Sequence, residues 1–412
     1  LYAIEEEVRT APVKKYGQYE EKFLALLKTP GATYEAKDFA CRMLRIVGSE
    51  KCVAAVAEFL TDEKMSHMAR YALQGLPFSS VDDVLRNALG KVSGSRKIGV
   101  ISSIAARADK KAVPLLQPLV ADQDAAVAGA AISALGSIGT TDALKVLTEA
   151  KVADGLKAAV MESRLMCADA ILAKGDREKA AGIYREMLAE GNPKGIRAAA
   201  ITGLARADKD NALPKVLELL KSKDAASRRA AGKALMEIKG EKTANVIIAE
   251  MGSLPQDAQV IAINVLVASA AKAAAPEIAK MTASGDDVVK IAAIQALGEL
   301  GDASNVELLA GLVKSGGDVG KTAVDSLARL KGKGVSEAIM KTLAGVDAGS
   351  KAILIGSLAE RQSPEVVGEL MKYADDPDES VKGETMKSLG ALISQKEIPV
   401  LIGMMLKTQP GR

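Results

Sequence analysis

Two stretches of the chain, "AVAGAAISALGSIG" at 126–139 and "VVKIAAIQALGELG" at 288–301, share one pattern although they lie far apart in the sequence. Both repeat apolar residues at i, i+3 and i+4, the spacing that places them on one face of an α-helix. Both end on glycine, which tolerates the left-handed backbone conformation common just past a helix end. The pattern therefore predicts a short amphipathic helix that recurs along the chain.

The central leucine of this pattern, which we call the anchor, recurs about every 31 residues, a period typical of stacked repeat proteins. The one large departure from this spacing precedes Leu172 and indicates an insertion near residues 150–175. The anchors are Leu44, Leu73, Ile104, Leu135, Leu172, Leu204, Leu235, Leu266, Leu297, Leu327, Leu358 and Leu389.

Each repeat is predicted to contain two helices, a first helix such as "VELLAGLV" (306–313) and a second helix that carries the anchor. Four residues before the anchor the second helix usually has alanine, which lets neighbouring helices approach closely. One helix pair is too small to bury its own apolar stripe, so it must stack on its neighbours. We predict an all-α fold, a right-handed α-solenoid (superhelix) of about 12 two-helix repeats of ~31 residues.

The repeat divides the chain into three predicted parts. Residues 1–18 form a lead-in helix or linker, 19–395 form the solenoid, and 396–412 form a terminal half-repeat. Because the chain begins at Leu1 rather than Met, we expect a processed product or a segment of a longer protein. The half-repeat is apolar, so we expect either a truncated array or packing against a partner through Ile398, Leu401, Met404 and Met405.

Composition excludes several kinds of protein. Hydrophobic residues make up 48% of the 412 residues and aromatic residues only 3%, which suits closely packed helices better than a β-sandwich. The net charge of +3 shows no clear basic excess, which argues against a nucleic-acid partner. No apolar run is long enough to span a bilayer.

The stretches "DAAVAGAAISALG" (124–136), "DDVVKIAAIQALG" (286–298) and "DESVKGETMKSLG" (378–390) resemble bacterial HEAT repeats. The resemblance extends from about Tyr19 onward and implies a binding surface or scaffold. The stretch 38–77 is similar to HEAT modules of large, often exported, multidomain bacterial proteins, where the array lies beside sugar-active or haem-carrying domains. That similarity implies an accessory module as the alternative function and favours an exported location, periplasmic or extracellular, over the cytoplasm.

Charged residues recur near the start of the second helix. Asp often stands eleven residues before the anchor and Lys or Arg seven before it. In the HEAT pattern these positions resemble a ladder of Asp and Arg that holds successive repeats in register, and a basic groove for an anionic polymer is the alternative. The predicted ladder consists of Asp124, Arg197, Asp224, Arg228, Asp286, Lys290, Asp378 and Lys382.

The position two residues before the anchor is mixed and mainly polar. By analogy with other solenoids, the second helix lines the partner-binding side, and Tyr and Arg are enriched at binding hot spots. Arg70, one position earlier, stands where most repeats are apolar; we expect it to reach an acidic partner or to mark an opening beside Tyr71. The predicted partner-binding residues are Arg42, Arg70, Tyr71, Lys233, Gln295 and Lys387.

No pattern predicts a catalytic, metal or cofactor site. His67 is the only histidine and is expected to be a surface or turn residue of a second helix. "GGDVGK" (316–321) lacks the spacing of a phosphate-binding loop. Two enzyme families with HEAT-like folds, DNA glycosylases and bilin lyases, are disfavoured by the few aromatic residues and the absence of a marked tetrapyrrole pocket. We predict a non-catalytic scaffold whose partner is another protein or another domain, with a small-molecule substrate disfavoured.

Three cysteines, Cys41, Cys52 and Cys167, have no Cys-x-x-Cys spacing. Buried, reduced thiols are the simplest interpretation. Cys41 and Cys52 flank the turn between two predicted helices, and in an exported protein they are a candidate disulfide.

Overall fold

A computed structural model describes residues 2–393, 398–399 and 402–403. In these residues the chain forms 24 α-helices and no β-strand, which confirms the predicted all-α repeat fold. Short 3-10 turns such as Glu58–Thr61 and Gln117–Ala121 extend several of the first helices. The chain divides into two compact units, Leu1–Asp208 and Lys209–Arg412.

The first unit contains a lead-in helix followed by repeats. Its helices are α1 (Tyr2–Thr10), α2 (Tyr16–Lys28), α3 (Tyr34–Val47), α4 (Glu50–Ala57), α5 (Ser66–Gln74), α6 (Ser79–Leu89), α7 (Gly94–Ala106), α8 (Val113–Leu116), α9 (Ala125–Ile138), α10 (Thr141–Glu149), α11 (Lys157–Ala173), α12 (Arg177–Met187) and the first part of α13 (Lys194–Leu220). The helical geometry of α13 is interrupted at Lys209, where φ is 29° and ψ is −104°.

The second unit begins with the remainder of α13 and continues the same alternation of first and second helices. Its other helices are α14 (Ala225–Glu237), α15 (Glu241–Glu250), α16 (Gln256–Ala268), α17 (Ala275–Met281), α18 (Asp287–Leu300), α19 (Val306–Val313), α20 (Gly317–Arg329), α21 (Val335–Thr342), α22 (Ala348–Glu360), α23 (Val367–Leu370) and α24 (Glu379–Leu392).

Second helices pack side by side in each unit. In the first unit α3, α5, α7, α9 and α11 contact one another in that order, and in the second unit α14, α16, α18, α20, α22 and α24 do the same. The small alanine side chain four residues before the anchor lets these backbones approach, as predicted. The alanines at this position are all fully buried: Ala40, Ala69, Ala131, Ala200, Ala231, Ala262, Ala293 and Ala323.

Eleven of the twelve predicted anchors are buried, and the twelfth is wrong by one residue. Leu172 is half-buried, whereas Ile171 beside it is 4% exposed and takes the anchor position. The cause is the insertion, because α11 is a 17-residue helix that follows the extra segment 150–156. Its apolar stripe is therefore not set by the spacing of the other repeats.

The predicted terminal half-repeat lies mostly outside the described residues. Ile398 is 41% exposed. Leu401, Met404 and Met405 are not among the described residues.

Candidate partner-binding surface

The position two residues before the anchor points away from the core in every second helix, because the residues on both sides of it face the neighbouring helices. It is exposed or half-buried throughout. We call the surface formed by this position and its exposed neighbours on the second helices the second-helix face. Its exposed members include Tyr71, Ser102, Ser133, Lys233, Gln295 and Lys387.

Arg42 lies on α3 and is held by acidic neighbours. Its Nη1 donates to Glu5 Oε2 at 3.3 Å and its Nε to Asp38 Oδ2 at 3.2 Å. The guanidinium also lies 5.4 Å from the centre of the Phe39 ring. The charge of this predicted partner-binding residue is therefore compensated by α1 and by its own helix.

Tyr71 projects from α5 with 42% of its surface exposed. The guanidinium of Arg45 stacks 4.4 Å from the centre of its ring, and Arg45 Nη1 donates to the Tyr71 carbonyl oxygen at 3.0 Å. This double contact fixes the arginine over the ring and leaves an aromatic and a cation together at the surface. Arg45 was missed in the sequence because it lies one residue after the anchor, and candidate residues were chosen only from positions before the anchor.

Arg70 is not paired with an acid in the described part of the chain, which corrects the first of the two expectations. Its Nη1 donates to the carbonyl oxygen of Gly99 on α7 at 3.1 Å. The guanidinium fits there because Gly99 has no side chain; a Cβ at that residue would lie 2.3 Å from Arg70 Cζ. Burial lowers the pKa of Arg70, and its Nε meets no hydrogen-bond acceptor among the described residues.

His67 is exposed one turn before Arg70 on α5, and its Nδ1 lies 3.4 Å from Arg70 Nη2. No acid or thiol contacts the ring in the described residues. The position agrees with a surface residue of a second helix.

The three predicted binding residues of the second unit lie on separate helices: Lys233 on α14, Gln295 on α18 and Lys387 on α24. All three are exposed. Lys387 Nζ contacts Glu384 Oε1 at 3.1 Å, one turn earlier on the same helix. The structure therefore does not bring these three side chains into one cluster.

The recurring aspartates of the predicted ladder are N-caps of second helices. Each carboxylate accepts hydrogen bonds from backbone N–H groups that have no partner within the helix. Asp124 accepts from Ala126 and Asp224 from Ser227. Asp286 accepts from Val288 and Val289, and Asp378 from Ser380 and Val381.

The basic residues of the predicted ladder have different partners in different repeats. Arg228 bridges repeats, since its Nη2 lies 2.6 Å from Asp257 Oδ2 at the start of α16. Lys290 pairs instead within its own helix, with Asp287 at 3.1 Å. Arg197 and Lys382 are half-buried, and Arg197 Nε has no hydrogen-bond acceptor in the part of the chain that the structure describes. A uniform ladder stays a prediction.

A second set of cations joins successive repeats three residues after the anchor. Arg107 donates to the carbonyl oxygens of Leu76 at 2.6 Å and Phe78 at 2.9 Å, and it also pairs with Asp82. Arg361 donates to the carbonyl oxygens of Leu327 at 2.9 Å and Leu330 at 2.7 Å. Lys174 donates to the carbonyl oxygen of Gly139 at 3.1 Å. Each cation neutralises the carbonyl end of the preceding second helix.

The three cysteines are buried, free thiols, so the candidate disulfide between Cys41 and Cys52 is not formed in this structure. Burial is the main cause that raises the pKa of both thiols to about 12, and that of Cys167 to about 11. Carboxylates at Asp38 and Glu20 contribute to the first two. All three side chains are protonated and shielded at neutral pH.

Other kinds of site are not supported by the described residues. In the described ranges no three side chains of His, Cys, Asp or Glu are arranged to hold a metal ion. None of the helices described here combines the length and the apolar content needed to cross a membrane.

Comparisons with known proteins agree with the repeat architecture. The structure of Kap121p bound to Pho4p has a TM-score of 0.59 at 12% identity, over 98% of this chain and 53% of that one. The structure of Kap95p with RanGDP has a TM-score of 0.52 at 12% identity, over 96% of this chain and 63% of that one. Identities this low show a shared fold, and this chain spans only half to three-fifths of those proteins.

No curated protein matches the sequence. The profile of HEAT repeats, in contrast, matches residues 82–163, 185–266 and 336–412, more than half of the chain. Together with the stacked helix pairs, this match shows that the chain belongs to the HEAT-repeat family.

Proposed function

We propose that this chain is a non-catalytic scaffold that binds a partner protein on its second-helix face. The observation that carries the proposal is one position that is exposed or half-buried in every second helix, while most residues beside it are buried. At Tyr71 this position presents an aromatic ring fixed by Arg45, the combination of residue types found at binding hot spots. Structures of similar fold include a complex of Kap121p with Pho4p, which is consistent with a protein partner.

The same surface would serve an accessory module of a larger multidomain protein. In that case the partner would be a domain of the same polypeptide rather than a separate chain. A coding sequence that continues past Arg412 into a sugar-active or redox domain would favour this form of the proposal.

Site-specific photo-crosslinking in the native host tests the proposal. Benzoylphenylalanine would replace Ser102, Ser133 or Gln295 on the second-helix face and, as matched controls, Leu115 or Leu308 on exposed positions of first helices. We expect a discrete protein adduct from the second-helix positions only. Adducts from the control positions alone, or none from any position, would contradict the proposal.

A further inference from the structure

Three consecutive second helices, α5, α7 and α9, contain no acidic residue. Every other second helix of the described chain contains at least one Asp or Glu. These three helices are adjacent, since α7 packs against both α5 and α9. We call their exposed side, together with Arg45 at the end of α3, the acid-free surface.

Three arginines of the acid-free surface are bound to neutral groups. Arg45 donates to the carbonyl oxygen of Tyr71, Arg70 to that of Gly99, and Arg96 to that of Thr61 at 2.8 Å. A carbonyl oxygen orients a guanidinium without cancelling its charge. Arg42 on α3 and Arg228 on α14 differ, because each pairs with a carboxylate.

The rest of the acid-free surface is small and flat. The exposed side chains of α7 and α9 are serine and alanine, among them Ser102, Ala106, Ser133 and Ser137, whereas Arg96 and Lys97 are half-buried. The 14 residues of α9 carry no charge at all. A partner helix could lie across the small side chains of α7 and α9. Its own side chains would then be directed at Tyr71, Arg45 and Arg70 on the α3 and α5 side of the surface.

We infer that the acid-free surface docks an acidic segment of a partner protein, which aligns Glu or Asp side chains with Arg45 and Arg70 and an apolar side chain with Tyr71. This inference rests on the proposed function and names the chemistry of the partner. A nucleic acid fits less well, because it would need a row of cations along its phosphates and several aromatic rings for its bases. The surface offers one exposed ring and a few cations at one end.

Charge changes at exposed serines test the inference without removing any side-chain hydrogen bond between repeats in the described structure. Ser102 lies in the middle of the surface and donates only to the carbonyl oxygen of Ile98, one turn earlier, at 2.9 Å. Thr148 on the first helix α10 is its matched control, since it is exposed and donates in the same way to Leu144 at 2.9 Å. The variants are Ser102→Glu with Ser133→Glu, Ser102→Lys with Ser133→Lys, and Thr148→Glu or Thr148→Lys.

The probe is a fluorescein-labelled peptide of four Glu-Glu-Leu-Ala-Ala repeats, and its control is the same peptide with Gln in place of Glu. Fluorescence anisotropy with the full chain, at low salt and at about 0.15 M, measures the affinity. We expect the Glu pair to weaken binding of the acidic peptide about fivefold and the Lys pair to strengthen it by a similar factor. The Thr148 variants leave it unchanged, and if the Glu pair fails to fold, Ser133→Glu alone replaces it.

Several results would overturn the inference. The Gln peptide could bind as tightly as the Glu peptide, or the Thr148 variants could shift the affinity as much as the serine variants. Tighter binding of oligo(dT) or of phosphatidylserine vesicles, with the same response to Ser102→Glu, would assign the surface to a nucleic acid or a membrane. If the peptide tests fail while crosslinks from the second-helix face to a protein persist, the inference of an acidic partner segment is wrong and the proposed scaffold function is still supported.

Discussion

The guanidinium of Arg70 occupies the space that a side chain at Gly99, on the next second helix, would fill. At Gly232 the order is reversed, because the glycine is on the earlier helix and the large residue, Ile261, is on the later one. A Cβ at Gly232 would lie 2.5 Å from Cγ2 of Ile261. Relative to the anchors, Arg70 corresponds to Gly232 and Gly99 to Ile261. In these two places a large residue therefore meets a glycine, which lies on the later helix in one case and on the earlier helix in the other, as close packing requires.

Gly99→Ala should lower the free energy of unfolding by roughly 1–3 kcal/mol, because the added methyl group displaces the guanidinium. In an Arg70→Ala background the same change should cost much less. Gly129→Ala is the control, since its Cβ would meet only Leu156 Cδ2 at 3.7 Å, an ordinary contact. Urea unfolding of the native chain, the two single variants and the double variant measures the coupling between Gly99 and Arg70. An equal cost of Gly99→Ala in the native and Arg70→Ala backgrounds would contradict the packing argument.

Arg107→Met should destabilise the first unit by about 2 kcal/mol, because it leaves the carbonyl oxygens of Leu76 and Phe78 and the Asp82 carboxylate without their charged donor. Lys110→Met, three residues later and exposed, should have little effect. Thermal and urea unfolding of both variants checks the difference. Equal stabilities would show that Arg107 does not hold the repeats together.

Ala108→Gly and Ala270→Gly should each stabilise the protein by about 1 kcal/mol. Both alanines follow a second helix and have positive φ, 50° and 51°, where Cβ is crowded. Gly175 has the same role with φ of 93°, so Gly175→Ala should destabilise by a similar amount. Melting temperatures of the three variants test whether these alanines are strained. A lower melting temperature for Ala108→Gly would contradict backbone strain at Ala108.

The thiols should be unreactive in the folded protein. Burial raises the pKa of Cys41 and Cys52 to about 12, so the thiolate is scarce at neutral pH and no reagent reaches it. We expect iodoacetamide to modify fewer than one cysteine per chain under native conditions and all three in urea. Mass spectrometry without reductant checks for a bond between Cys41 and Cys52, and a mass deficit of two hydrogens would favour the disulfide instead.

Acid should weaken the second unit partly through two N-cap aspartates. Hydrogen bonds from the Ser350 backbone and hydroxyl groups lower the pKa of Asp347, and those from Ser380 lower the pKa of Asp378. Because both folded pKa values lie below the unfolded value of about 4, the stabilisation exists above that pH and is lost as the pH falls through the folded pKa values.

The double variant Asp347→Asn with Asp378→Asn should therefore melt lower than the native chain at about pH 6 and lose less stability between about pH 5 and pH 3. Asp375→Asn, at an exposed position, is the control and should keep the native pH dependence. Melting curves across this range provide the measurement. Parallel curves for the native and double-variant proteins would exclude the caps as a source of acid sensitivity.

The stacking of helices was predictable because it depends on a short pattern that recurs with a fixed period. Anchor leucines and alanines at one level of the helix are buried for the same reason in every repeat. Leu172 was wrongly assigned as an anchor because the insertion breaks that period. Which residues of α11 face the core depends on where this longer helix begins. Spacing from neighbouring repeats carries no information about that start.

The polar contacts were less predictable, since many of their partners are backbone atoms. Asp124 was expected to meet a basic residue, but its carboxylate instead accepts a hydrogen bond from the free backbone N–H of Ala126 at the helix start. Arg107, Lys174 and Arg361 contact carbonyl oxygens, which leave no trace in the identity of any residue. The available signal was their shared position three residues after the anchor, which Arg107 and Arg361 already show and which Lys174 shows once Ile171 replaces Leu172 as the anchor.

The contacts that join successive repeats connect residues that are close in the sequence. Arg70 and Gly99 are 29 residues apart, and Lys174 and Gly139 are 35 apart. Within each unit, a repeat can therefore dock as soon as it leaves the ribosome, because its binding site is the repeat synthesised just before it. Folding then keeps pace with translation, and apolar helix faces are covered one repeat at a time instead of waiting for a distant part of the chain.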